Sequence, residues 1–203
     1  MTERFADLAA VVLDRPPRLG PVRLVAVDGP SGAGKSTFAA RLAEVLRAAG
    51  ATVTTVPTDD LLDGWDDQFT FWERLERRVL APLRRGEPGG YHRYDWHRAE
   101  FDAGLTPVPS TDVVIVEGVT SARRVIRAEL SFSVFVTAPA ELSLARVLTR
   151  DGEGVREPLL AWRRAEAGFH DQDGTRAAVD LNIDGSDLAE GFRRLPPGRT
   201  IEE

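Results

Sequence analysis

Gly29-Pro30-Ser31-Gly32-Ala33-Gly34-Lys35-Ser36-Thr37 is the stretch that decides the fold. Before it, residues 22–27 (Val-Arg-Leu-Val-Ala-Val) read as a buried strand; after it, residues 38–49 read as a helix with Ala, Leu and Val on one face. Strand, glycine-rich turn and helix start, in that order, are the setting in which G-x-x-x-x-G-K-[ST] means a cradle for phosphate groups. The glycines let successive backbone N–H groups turn inward, and the helix N-terminus adds its partial positive charge. Lys35 then reaches the β- and γ-phosphates of a nucleotide, and Ser36 sets a hydroxyl on Mg²⁺. Lys35 is also the only lysine: every other one of the 26 basic residues is arginine. A compact ammonium fits between phosphate oxygens where a planar guanidinium does not.

Outward from this loop, composition sets the bounds. A chain of 203 residues is read as one domain spanning 1–203, large enough to bury a full core. It has no cysteine, which excludes disulfides, thiolate-bound zinc and thiol catalysis. A net charge of −6 argues against a general nucleic-acid binder, and no apolar run reaches the length of a membrane span. The acids Glu3, Asp7 and Asp14 do not fit a secretory leader, so the expected location is the cytoplasm.

Residues 1–13 read as an amphipathic helix with Phe5, Leu8, Ala9 and Val12 on one face, expected to cover an edge of the sheet. Residues 51–56 read as a second strand, followed by Pro57-Thr58-Asp59-Asp60-Leu61-Leu62-Asp63. Carboxylates at the C-terminal end of a strand in an open α/β sheet sit where ligands bind. Asp59 or Asp60 there could accept a proton from a substrate hydroxyl, or could simply cap the next turn. Residues 69–85 carry Phe69, Trp72, Leu75, Val79 and Leu83 at helical spacing and read as a core-facing helix. Residues 86–90 read as a loop, followed by Tyr91-His92-Arg93-Tyr94-Asp95-Trp96-His97-Arg98, a mixture without core periodicity. Such a cluster suits either a small polar substrate or a surface loop anchored by a few rings.

A third strand ends in an acid, Val113-Val114-Ile115-Val116-Glu117, where a carboxylate would organise the shell of a Mg²⁺ ion or cap the next helix. Residues 121–130 read as a helix, 132–136 as a fourth strand, 141–150 and 158–170 as helices and 181–183 as a fifth strand, with an irregular tail over 195–203. Arg146, Arg150, Arg156, Arg163 and Arg164 sit where a mobile flap could close over a nucleotide, and one or two of them are expected to touch phosphate.

From about residue 24 to 185 the chain resembles the uridine kinase branch of the phosphate-loop small-molecule kinases, which also holds phosphoribulokinase-like and bacterial pantothenate kinase-like enzymes. Residues 29–37, Asp59-Asp60-Leu61-Leu62, Tyr94-Asp95-Trp96 and Arg146-Val147-Leu148-Thr149-Arg150-Asp151 carry the resemblance. It implies a P-loop NTPase-type three-layer α/β/α fold, with a mostly parallel five-stranded sheet and a helical lid over about residues 150–175. It implies ATP and Mg²⁺ as cofactors, with Gly29 to Thr37 on the nucleotide and Ser36 and Glu117 on the metal. Asp59 is then the base, Lys35 and Arg150 assist, and Asp60, Tyr94, Asp95, Trp96 and His97 line the acceptor. The acceptor expected is a pyrimidine nucleoside, uridine or cytidine. A monophosphate acceptor would instead call on Arg93, Arg98, Arg123 and Arg124; a vitamin precursor, a sugar or a regulatory ATPase are further readings. Partners are thus a small molecule rather than nucleic acid or membrane, with a homo-oligomer left open. Leu61-Leu62 departs from the aromatic pair often found after the family's base, no acid segment for the ribose hydroxyls stands before Tyr94 unless Trp65-Asp66-Asp67 serves, and the lid lacks the family's dense basic run.

Overall fold

The computed structural model describes residues 2–196. A short strand β1 (Thr2–Glu3) precedes helix α1 (Phe5–Asp14); then come strand β2 (Arg23–Asp28), helix α2 (Lys35–Ala48) and strand β3 (Val53–Pro57). A 3₁₀ turn (Thr58–Leu61) leads to one helical stretch made of α3 (Trp72–Leu75), a π-turn (Glu76–Leu80) and α4 (Ala81–Arg84). Pro82 explains the widened turn, since it has no N–H to continue the α-helical ladder. Strands β4 (Gly89–Asp95), β5 (Glu100–Val108), β6 (Val113–Glu117) and β7 (Leu130–Thr137) follow. Helices α5 (Ala140–Asp151), α6 (Arg156–Asp173) and α7 (Thr175–Ala178) and strands β8 (Leu181–Asp184) and β9 (Phe192–Leu195) complete the described chain.

The main sheet has seven strands in the order β1-β9-β8-β7-β2-β6-β3. Its five parallel members, β8, β7, β2, β6 and β3, are the five strands expected from sequence. The count of five is corrected to seven by β9 and β1, which pair antiparallel at one edge. Both are too short to show a period: β1 has two residues, and β9 reads Phe-Arg-Arg-Leu and ends at Leu195, where the tail expected to be irregular begins. The rest of that tail, from residue 197, lies outside the described residues. Strands β6 and β7 flank β2 on either side, so the chain order reverses at β2 and opens a crevice at its C-terminal end. Gly29 to Thr37 fills that crevice.

Each face of the sheet buries its own layer, as near-continuous apolar parallel strands require. On one face α1 and α2 pack Phe5, Leu8, Val12, Phe38, Leu42 and Leu46 against β2, β6, β7 and β8. The N-terminal helix therefore lies against α2, and it is the strand before it that extends the sheet edge. On the other face Leu75, Val79, Leu80 and Leu83 pack with Tyr91 and Trp162. The segment after residue 88, read as a loop and an aperiodic cluster, is a two-stranded antiparallel hairpin of β4 and β5. The register of that pair shifts between His92 and Tyr94, a bulge that breaks the alternation by which a strand is read. The helix expected over 121–130 is a 3₁₀ segment, Arg124–Glu129.

Candidate active site

The loop between β2 and α2 has the backbone of an anion cradle. Gly32 has φ +80°, and a Cβ there would overlap the Ser143 carbonyl; Gly34, at φ +103°, forms the left-handed entry to α2. Only glycine lets the chain turn this tightly and leave its N–H groups facing inward. Lys35, 9% exposed, donates from Nζ to the Pro30 carbonyl at 3.0 Å, so its ammonium lies folded over the loop itself.

Ser36 lies in the first turn of α2, and its hydroxyl donates to Glu117 Oε1 at 3.0 Å, above the paired C-terminal ends of β2 and β6. Parallel pairing sets Val27 opposite Glu117, which brings the acid at the end of β6 beside the loop. Glu117 is 8% exposed, and burial pushes its carboxyl above the ordinary range while the neighbouring Lys35 ammonium pulls it back. Asp59 and Asp60 add negative field at the same carboxyl. A buried, under-compensated carboxylate beside a hydroxyl is a hard-oxygen donor set that fits Mg²⁺, which takes one or two protein oxygens and completes its octahedron with water and phosphate. The glycine-shaped cradle and Lys35 fit a nucleotide's polyphosphate in the same way.

The acids after β3 divide their roles. Asp60 turns inward, accepting from Tyr91 Oη at 3.0 Å and Arg93 Nε at 3.1 Å, and burial lifts its pKa. Asp59 is exposed, with its backbone carbonyl taking the Trp96 indole N–H at 3.1 Å. The Trp96 ring belongs to an aromatic chain: Trp65 meets Trp96 at 5.5 Å and Trp162 at 5.7 Å, and Tyr94 meets Trp96 at 5.3 Å, all edge to face. Trp96 is thus brought to the Asp59 backbone, with Tyr94 buried behind it, and the Arg150 guanidinium feels both Asp59 and Glu117 while pairing with Asp151.

Other expected residues serve the scaffold. Asp95 Oδ1 accepts the backbone N–H groups of His97 and Arg98, so it caps the hairpin turn, and His97 is exposed there. Arg123 is 8% exposed, lies 4.5 Å over the Trp72 ring and donates to the Thr120 and Phe69 carbonyls. Burial lowers its pKa to about 10. Asp67, in the segment weighed for ribose recognition, takes the Asp63 N–H and the Thr70 hydroxyl instead. Among the flap arginines, Arg146 touches the loop, bonding the Gly185 carbonyl at 3.0 Å and the Gly32 carbonyl at 3.4 Å.

Sequence reading missed three residues. Asp28 is fully buried and accepts from the N–H groups of Gly29, Thr120 and Ala122, with His170 Nε2 at 3.0 Å. An acid closing an apolar strand directly before the loop was a signal for it. Glu166 and His170 carried none, since polar residues are ordinary in an amphipathic helix such as α6.

No family model matches the chain. Among known proteins it is similar to an inorganic pyrophosphatase of Arabidopsis thaliana, TTM1, 28% identical over 137 residues that make up 63% of this chain. It is also similar to uridine-cytidine kinase C of Dictyostelium discoideum, 24% identical over 156 residues, or 72% of this chain. The chain spans only 20% and 34% of those two proteins. Of solved structures, a candidate fructose transport system kinase from Silicibacter sp. TM1040 superposes with a TM-score of 0.70 at 25% identity, covering 89% of this chain and 98% of that one. A candidate uridine kinase from Bacillus stearothermophilus gives 0.66 at 19% identity, covering 88% and 96%. Among the described residues no helix is long and apolar enough to cross a membrane.

Proposed function

We propose that this uridine kinase-like member of the P-loop kinases transfers the γ-phosphoryl group of ATP to a hydroxyl of a small acceptor, a pyrimidine nucleoside first among them. The observation that supports this best is Asp59, an exposed residue just after β3 whose carbonyl takes the Trp96 indole N–H and whose charge acts on Glu117, the partner of Ser36. In this reading the loop N–H groups and Lys35 hold the β- and γ-phosphates. Ser36 and Glu117 hold Mg²⁺, which when bound neutralises charge on the phosphate oxygens. Asp59 takes the acceptor's hydroxyl proton as that oxygen bonds to the γ-phosphorus and the bond to the β-phosphate oxygen breaks. Asp60, fixed by Tyr91 and Arg93, orients the turn, and Arg150 offers positive charge to the departing phosphate. The exposed ring of Trp96 gives a flat nucleobase its stacking surface, with the buried Tyr94 ring behind it. Such chemistry belongs in the cytoplasm, where ATP is held.

A monophosphate acceptor is disfavoured because the arginines it would need are engaged: Arg93 with Asp60, Arg98 with Asp95 and Asp102, Arg124 with the Gln172 and Asp173 carbonyls, and Arg123 over Trp72. A sugar acceptor draws support from the name of the Silicibacter relative, and water as acceptor from the Arabidopsis one. ADP release from Mg-ATP, measured with uridine, cytidine, uridine monophosphate, fructose and no acceptor, separates these readings. Stimulation by a nucleoside supports the first; release indifferent to every acceptor favours transfer to water.

A further inference from the structure

Glu166 has no place in the reaction just described, yet it is 1% exposed and lies against the phosphate loop. Its two carboxylate oxygens accept the Ser31 N–H at 3.1 and 3.2 Å. One of them also takes the Ser31 hydroxyl at 3.0 Å and the Trp162 indole N–H at 3.1 Å. Burial pushes its carboxyl upward, and the field of the Lys35 ammonium pulls it back. One turn further along α6, His170 meets Asp28. The helix is therefore pinned at the mouth of β2 through two side chains, one of which sits on a loop donor.

An anionic oxygen on a backbone N–H of a glycine-rich turn is the chemistry such a loop offers to phosphate. Two anions cannot share that donor and the same lysine without strong repulsion. We propose that Glu166 is a positioning residue that fills the phosphate loop with its own carboxylate when no polyphosphate is bound. It leaves Ser31 when a nucleotide seats. The proposal rests on the reading of Gly29 to Thr37 as a polyphosphate cradle.

The movement has a route to the acceptor side. Trp162, bonded to Glu166, packs on Trp65; Trp65 packs on Trp96, whose indole holds the Asp59 carbonyl. Displacing Glu166 frees Trp162 and with it the aromatic wall. By linkage, a nucleotide that opens this wall changes acceptor affinity, and the acceptor changes nucleotide affinity by the same factor.

The test is MgADP binding by calorimetry to the wild-type chain, Glu166→Gln and Lys35→Ala, with indole fluorescence followed in parallel. Gln keeps the size and an acceptor for Ser31 but loses the charge that competes with phosphate. Glu166→Gln is expected to bind MgADP about tenfold tighter, because the cost of vacating the loop falls. In the wild type MgADP is expected to change indole emission, and Trp162→Phe to abolish most of that change. A purely structural Glu166 predicts the opposite sign, a looser loop and weaker binding. If Glu166→Gln fails to fold, Glu166→Asp, too short to reach Ser31, is expected to bind MgADP about threefold tighter. Binding that Lys35→Ala abolishes but the Glu166 variants weaken or leave unchanged overturns the proposal alone. No MgADP binding by the wild type overturns the reading of the loop together with it.

Discussion

The Ser36 hydroxyl and the Glu117 carboxylate stand 3.0 Å apart, joining the first turn of α2 to the end of β6 across 81 residues of chain. Sheet register makes this contact: β2 and β6 run parallel, and the loop that leaves β2 turns back over the neighbouring strand end. For the Mg²⁺ role of the pair, Ser36→Ala is expected to weaken MgATP binding by about tenfold while changing metal-free ATP binding little. Calorimetry with and without Mg²⁺ checks this, and equal losses in both conditions would remove Ser36 from the metal.

Burial raises the Glu117 carboxyl pKa in the folded chain. Between the ordinary glutamate value and the raised one, the folded chain then binds more protons at this site than the unfolded chain. Its contribution to stability therefore falls as pH rises through that window. Glu117→Gln removes the effect, so the variant's stability relative to wild type is expected to climb as pH rises from about 4 to 7. Urea denaturation across that range reads it; a difference independent of pH would mean that Glu117 titrates normally.

Phe38 is fully buried, with its ring centroid 5.1 Å from that of Phe5 and 5.6 Å from that of Phe192, so it ties α2 to α1 and to strand β9. Phe38→Ala is expected to cost about 3–5 kcal/mol in unfolding free energy. A loss below about 1 kcal/mol would show that this face closes over the gap.

Gly32→Ala tests the cradle. The residue sits at φ +80°, and its new Cβ would press on the Ser143 carbonyl. Nucleotide affinity is expected to fall at least about tenfold, the equivalent of one strained backbone position. Unchanged affinity would mean that the loop adjusts freely.

The parallel core and the loop were legible in sequence because both rest on local signals: apolar runs of strand length, and glycines at fixed offsets before Lys35. Asp59 and Glu117 were picked out because each follows or closes an apolar strand, and Tyr94 and Trp96 because they stand in an aromatic, polar cluster without core periodicity. The hairpin was hidden by its bulge, and strands β1 and β9 by their length. What Asp95 and Arg123 touch could not be read from residue type: Asp95 caps a turn and Arg123 packs on Trp72. Glu166 could not be read at all, since its meaning comes from Ser31, 135 residues away.

The measurement that bears most directly on phosphotransfer from this site is label transfer from γ-³²P-ATP to uridine by the wild-type chain and Asp59→Asn, with MgATP affinity recorded for both. Asp59→Asn keeps the shape of the side chain and removes its capacity to accept a proton. The expected result is transfer by the wild type, a loss of about 10²–10⁴-fold in the variant, and MgATP affinity the same in both. Near-normal transfer by Asp59→Asn, or label appearing only as inorganic phosphate with either protein, would contradict it.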